Sequence, residues 1–363
     1  MTGFSDRDNG RERRGARPDR EAQREERRRE AVRHTGLMKA AFGKETDEAI
    51  EAARIYEEGE GRRLLWGAEA AAAAKEAAAM AEADADGAQV GNEEAREEAV
   101  AAEEMAEAAA AEAADAPVDD GPAAAPAATE TVTKVVTSFA PEALYHHGAG
   151  KCVVVDPAAF TRPGGAYEDG AFGPEQILCS ESNLYPVLCA HKRDFYDKNR
   201  DYRRGSLFTD RALYVPEVLF SREGDTRRAD VLVIAEPIRA YALDNHRSER
   251  ECDKALADRI ETIFRIAAAN NVQTLIMGAF GCGRNGYPSA QVIELIRTWI
   301  GEHPGAVPRV VFAVPRMHVD AFRAAFGGVE EEKPAAVEEV VERDEEADDD
   351  WRAVELPEGI TLR

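Results

Sequence analysis

The chain has 363 residues and a formal net charge of −24, from 46 Lys and Arg against 70 Asp and Glu. The charge is uneven: residues 132–328 balance at 24 basic and 24 acidic, whereas 45–131 carry 5 against 24 and 329–350 carry 2 against 12. This excludes a bulk nucleic-acid binder, which needs concentrated Lys and Arg, so direct DNA binding is not expected; the neutral stretch is long enough to bury a core of its own.

No apolar run approaches the roughly 18–20 residues that span a bilayer, and the first residues hold no apolar signal core, so a soluble, cytoplasmic protein without membrane association is expected. The five cysteines (Cys152, Cys179, Cys189, Cys252, Cys282) form no CxxC pair and no zinc spacing, and read as reduced, buried thiols. Cys282 is kept apart because it lies in a glycine-rich loop.

In chain order, residues 1–34 alternate Arg and Glu with few apolar residues and read as a charged arm, disordered or at most a solvated helix. Residues 35–65 place Leu37, Met38, Phe42, Ile50, Ile55 and Tyr56 at spacings of a one-faced helical extension that can dock on a core. Residues 66–128 form an insertion or linker: 30 of the 61 residues from Ala68 to Ala128 are Ala, and most others are acidic, too little large apolar surface to pack. The folded region is expected over 129–328, followed by an acidic tail, 329–363.

Within that region TETVTKVVTSF alternates as a strand, and CVVVD (152–156), LYVPEVLF (213–220), VLVIAEP (231–237), TLIMGAF (274–280) and RVVFAVP (309–315) are short β-branched runs. Helical patterns fall between them, from Glu175 to about His191, near 248–270, from Ser289 to about Ile300, and near 318–326. Apolar runs separated by helices mark an α/β sheet covered on both faces. Ligands in such sheets sit at the carboxyl ends of strands, which directs attention to the loops after CVVVD and TLIMGAF.

The later loop, GAFGCGRNGYPS, lies between a strand and a helix, and Gly281 to Gly286 spell GxGxxG. Glycines let backbone N–H groups approach an anion, so phosphate or diphosphate binding is one reading and a structural turn the other. A dinucleotide dehydrogenase is not indicated, because that fingerprint belongs to a first βα unit whose next strand ends in an acidic residue, and the next strand here ends VFAVP. Tyr287 either stacks on a ligand or packs in the core. In the earlier loop, Pro163-Gly164-Gly165-Ala166 is a turn whose backbone can lie against a ligand, and Glu175-Gln176 opens the following helix. A Glu at a helix N-terminus is also favourable for the dipole alone. His146-His147 has no metal-ligand companions and reads as surface; Asp244-Asn245-His246-Arg247 reads as a polar loop able to close over a ligand.

Taken together, PGGAYEDGAFGPEQILCSESNLYPVL and GAFGCGRNGY resemble the PGGG, QEE and second glycine-loop motifs of microbial-type poly(ADP-ribose) glycohydrolases, over roughly 129–328; ETDEAIEAARIYEEGE resembles that family's N-terminal helical extension. The resemblance implies a macrodomain-like mixed α/β sheet flanked by helices, binding ADP-ribose or an ADP-ribosylated protein, with no cofactor and no metal. It places Asp156 among the ligand-binding residues, Gly164, Gly165 and Ala166 on the ribose side, Gly281, Cys282, Gly283, Arg284 and Gly286 around the diphosphate beside Tyr287, and Glu175 on ribose hydroxyls. The residue that in the family protonates the leaving group aligns with Gln176, Ala166 replaces the third Gly, Asp156 and Arg162 replace Asn residues, and Asn285 stands for an aromatic. An amide has no titratable proton, and general acid catalysis is typically worth about 10²–10⁴-fold, so the resemblance implies ADP-ribose recognition with impaired hydrolysis. The alternatives are an interaction scaffold that engages a protein partner through its acidic segments, or another nucleotide-binding α/β protein.

Overall fold

A computed structural model of the chain describes residues 20–67, 130–202 and 205–327. The outer arm (1–19), most of the expected insertion and the acidic tail lie outside the described residues. Among the described residues no helix is long and apolar enough to cross a membrane.

Seven strands form one mixed sheet in the order β1-β4-β5-β3-β6-β7-β2. They are β1 (Arg54–Tyr56), β2 (Val132–Val136), β3 (Cys152–Ala158), β4 (Ala212–Arg222), β5 (Asp225–Ala235), β6 (Thr274–Met277) and β7 (Arg309–Ala313). Strands β5, β3, β6, β7 and β2 run parallel, and β4 and β1 add an antiparallel edge. Side chains alternate between two cores, as the period of a strand requires. Val153, Val155, Leu232, Ile234, Leu275 and Phe312 face one core; Val154, Val231, Val233, Ile276 and Val311 face the other. Both faces are covered, which is why these strands read as unbroken apolar runs.

On the first face lie α7 (Glu249–Ala269), α8 (Ser289–Glu302) and α9 (Arg316–Phe326). Helix α7 begins where the sequence supplies a capping box, with Ser248 and Glu251 each holding the other's backbone N–H. The second face carries α1 (Arg20–Ala41), α2 (Gly43–Ala52), α3 (Ala140–His147), α4 (Pro174–Ser180) and α5 (Leu184–Ala190). The short α6 (Arg239–Asp244) follows β5.

Four expectations change. The 35–65 extension is helical only as far as Ala52; Ile55 and Tyr56, expected on its helical face, lie in β1 and pair with Leu213 and Ala212 of β4. Residues 20–34, expected in a charged arm, are part of α1. Ala31 is buried, Arg24 and Arg27 donate to the carbonyls of Asp169 and Gly170 at 2.9 and 3.0 Å, and His34 meets the Ser182 carbonyl at 3.0 Å. The expected helix from Glu175 to His191 is two helices. Ser182 and Asn183 leave it to bond β4: Asn183 accepts from the Leu219 N–H at 2.9 Å and donates to Thr46 Oγ1 at 3.0 Å. Cys189 is exposed, while the other four thiols are buried as expected.

Candidate functional site

The site forms at the carboxyl ends of the parallel strands β3, β5 and β6. After β3, the chain makes a tight turn over Pro163–Asp169 in which Gly164, Gly165 and Ala166 all have left-handed backbone, at φ 63°, 51° and 72°. Gly165 cannot carry a side chain there: a Cβ would lie 2.3 Å from Glu175 Oε2 and 2.6 Å from Gln176 Nε2. Helix α4 starts with Pro174, a residue pre-set for the first helical turn, and so aims Glu175 and Gln176 back at this turn.

The two side chains do different things. Glu175 is buried, its Oε2 accepts from the Ala159 N–H at 2.9 Å, and its Oε1 has no hydrogen-bond partner. Burial, reinforced by the charge of Asp156, pushes its carboxyl well above the usual range. Gln176 is half-buried and spends its amide on the turn, with Nε2 donating to the carbonyls of Gly164 at 3.0 Å and Gly165 at 3.1 Å. An amide can do this and an ionised carboxylate, an acceptor only, cannot.

Asp156, in β3, is fully buried with neither carboxyl oxygen hydrogen-bonded. Burial, with the nearby charge of Glu236 adding to it, pushes its carboxyl up to about 8. At neutral pH it therefore keeps its proton, as a buried acid without partners must. The Tyr196 phenol is buried near both Glu175 and Asp156, and its oxygen too lacks a partner.

The second glycine loop contains a residue whose part the sequence did not reveal. Glu236 directly follows β5 and accepts from the Gly281 N–H at 2.7 Å; the Asn285 side-chain amide donates to its other oxygen. Gly281 has φ 78°, and a Cβ on it would come within 3.0 Å of Leu256 Cδ1. Glycine thus allows the peptide to turn its N–H toward a carboxylate of the chain itself. Burial raises Glu236 to about 7, while the Gly281 N–H, Arg284 and Asn285 pull the other way. The available signal was a single Glu closing an otherwise apolar strand, VLVIAEP.

Gly283 and Arg284 are exposed, and Gly286 has left-handed backbone at φ 87°. Cys282 is buried, with its thiol pushed up to about 12 chiefly by burial. Tyr287 turns into the core and its hydroxyl donates to the Cys252 carbonyl at 2.9 Å. Arg162 is exposed and pairs with Asp169 at 2.7 Å and Glu168 at 3.1 Å, on its own turn. His146 is exposed, and Arg247 pairs with Glu251 at 3.4 Å. Asp156 lies between the two loops: its ionisation is disfavoured by the charge of Glu236 on one side, and would disfavour that of Glu175 on the other.

Residues 38–223, just over half of the chain, match the microbial-type PARG catalytic domain. That stretch includes the Pro163–Asp169 turn and Glu175-Gln176 and ends before the second glycine loop. The fold is similar to that of the poly(ADP-ribose) glycohydrolase from Thermomonospora curvata, at 20% identity and a TM-score of 0.58, over 83% of this chain and 98% of that one. It is also similar to the Thermomonospora curvata enzyme bound to the inhibitor ADP-HPD, at 20% identity and a TM-score of 0.56, over 83% and 98%. A point mutant of the glycohydrolase from Deinococcus radiodurans in complex with ADP-ribose is 25% identical with a TM-score of 0.50, over 55% of this chain and 85% of that one. Comparison with curated proteins gives no match.

Proposed function

Because the chain belongs to the microbial-type poly(ADP-ribose) glycohydrolase family, we propose that it recognises ADP-ribose, free or attached to protein, at the strand ends described above, with glycosidic hydrolysis lost or strongly reduced. One observation carries the second half of this reading: the Gln176 amide is committed to the Gly164 and Gly165 carbonyls. Cleaving an O-glycosidic bond to ribose passes through an oxocarbenium-like state and requires a proton for the departing oxygen. Gln176 has none to transfer. Asp156 holds a proton at neutral pH but exposes no surface, so it cannot reach a leaving group.

Binding keeps its supports. Gly164 and Gly165 let the backbone approach a ribose, and the unpartnered Oε1 of Glu175 suits a ribose hydroxyl, which can both donate and accept. Calorimetry with ADP-ribose tests recognition, and no heat or thermal stabilisation at millimolar ligand refutes it. Incubation with poly(ADP-ribosyl)ated protein tests the second half; rapid release of ADP-ribose by the natural chain refutes it. The acidic segments that motivate a scaffold reading lie outside the described residues, and no structural observation favours it.

A further inference from the structure

Loops rich in glycine capture anions because their N–H groups converge on a point. In this chain one such N–H, that of Gly281, already faces a carboxylate. Glu236 lies at the end of β5, across from the loop that follows β6, and takes the Gly281 N–H at 2.7 Å with one oxygen and the Asn285 side-chain amide with the other. We propose that Glu236 is a selectivity residue: its carboxylate occupies the anion position of the 281–286 loop, so a ligand can use that loop for a diphosphate only by displacing Glu236.

The surroundings make this more than loop closure. Asp156 stands on the neighbouring strand, buried with no hydrogen-bond partner, and the nearby charge of Glu236 helps to keep it protonated. A doubly negative diphosphate arriving here meets the Glu236 carboxylate as a like charge and must strip two donors from it, each of which costs binding free energy. Arg284 acts on Glu236 as a countercharge, and would do the same for a phosphate that took its place. A ligand or ligand portion without phosphates, such as a nucleoside or a ribose, meets no such penalty. The inference rests on the ADP-ribose reading and states what limits it.

The test is calorimetry of ADP-ribose, inorganic pyrophosphate and adenosine against the full chain, Glu236→Ala and Glu236→Gln, with circular dichroism to confirm the fold. Removing the internal anion is expected to tighten ADP-ribose by at least about tenfold in Glu236→Ala. Pyrophosphate should follow and adenosine should not change. Glu236→Gln, which keeps the shape and the Gly281 bond but not the charge, should move ADP-ribose the same way by less; it stands as the test if Glu236→Ala does not fold. Equal or weaker ADP-ribose binding in the variants overturns the inference and leaves ADP-ribose recognition standing, with Glu236 a brace for the loop. Absence of ADP-ribose binding in both natural chain and folded variants overturns the inference and the recognition together.

Discussion

Replacing Gln176 by Glu is the sharpest test of the proposal that this site binds ADP-ribose without cleaving it. The amide nitrogen is 3.0 and 3.1 Å from two carbonyl oxygens of the Pro163–Asp169 turn. An ionised carboxylate at this position would lose both bonds and set its lone pairs against those carbonyls, at about 0.5–1.5 kcal/mol per bond, or about 1–3 kcal/mol together. For a domain of this size that lowers the melting temperature by about 2–4 °C per kcal/mol. A protonated carboxyl recovers one of the two bonds, so the turn itself favours the acid form and raises the pKa of the new side chain. The folded state would then bind a proton that the unfolded chain releases. The stability of the variant relative to the natural chain is therefore highest in acid, and declines as pH rises from the ordinary carboxylate value through the raised one. A carboxyl that keeps its proton near neutrality is what departure of a sugar oxygen requires. The expected gain in release of ADP-ribose from poly(ADP-ribosyl)ated protein is about 10²–10⁴-fold over the natural chain, fading as pH passes the raised pKa. Two results refute the reasoning: strong hydrolysis by the natural chain, or a Gln176→Glu protein that folds and binds ADP-ribose yet gains no rate.

Three further outcomes are expected. Gly165→Ala drives a methyl into Glu175 Oε2 and Gln176 Nε2 at a backbone φ of 51°, so ADP-ribose binding should be lost and stability lowered by about 1–3 kcal/mol, read by calorimetry and chemical denaturation. Ala166→Gly relieves a left-handed φ of 72° and should stabilise the chain by about 1 kcal/mol; an unchanged or lower denaturation midpoint counts against strain at this turn. Asp156 binds its proton up to a pH of about 8 in the folded chain, far above the usual Asp value. Its contribution to stability is therefore full in acid and lost as pH rises from about 4 to about 8, and Asp156→Asn should flatten the fall of melting temperature across that window.

The parts of the fold that the sequence disclosed are those set by burial on both sides. CVVVD, VLVIAEP, TLIMGAF and RVVFAVP were legible as strands because each buries every residue of its central run, and Ser248 with Glu251 marks the start of α7 within four residues of sequence. What stayed hidden depends on partners distant in the chain. The charged α1 looks solvated until Arg24 and Arg27 find carbonyls about 145 positions away, and Asn183 breaks a helical pattern because Leu219 and Thr46 hold its amide. The three-residue β1 has no pattern of its own and exists through its pairing with β4. In the site, the Pro163–Asp169 turn and Glu175-Gln176 were legible as motifs. Glu236 was not, since nothing local to VLVIAEP signals that its carboxylate will meet Gly281, 45 positions on.

The edge of the sheet bears on the segment between residues 67 and 130. On its amino side, Trp66 packs against Trp299 and His303, with ring centroids 5.7 and 5.4 Å apart, at the end of α8. On its carboxyl side, Val132 donates its N–H to Pro308 at 2.9 Å and pairs with Arg309 at the start of β7. The two described ends, Trp66 and Val132, thus both meet the domain around the same α8–β7 connection. The register of β2 on β7 is thus set at its first residue by Pro308 and Arg309, within reach of the same helix end that holds Trp66.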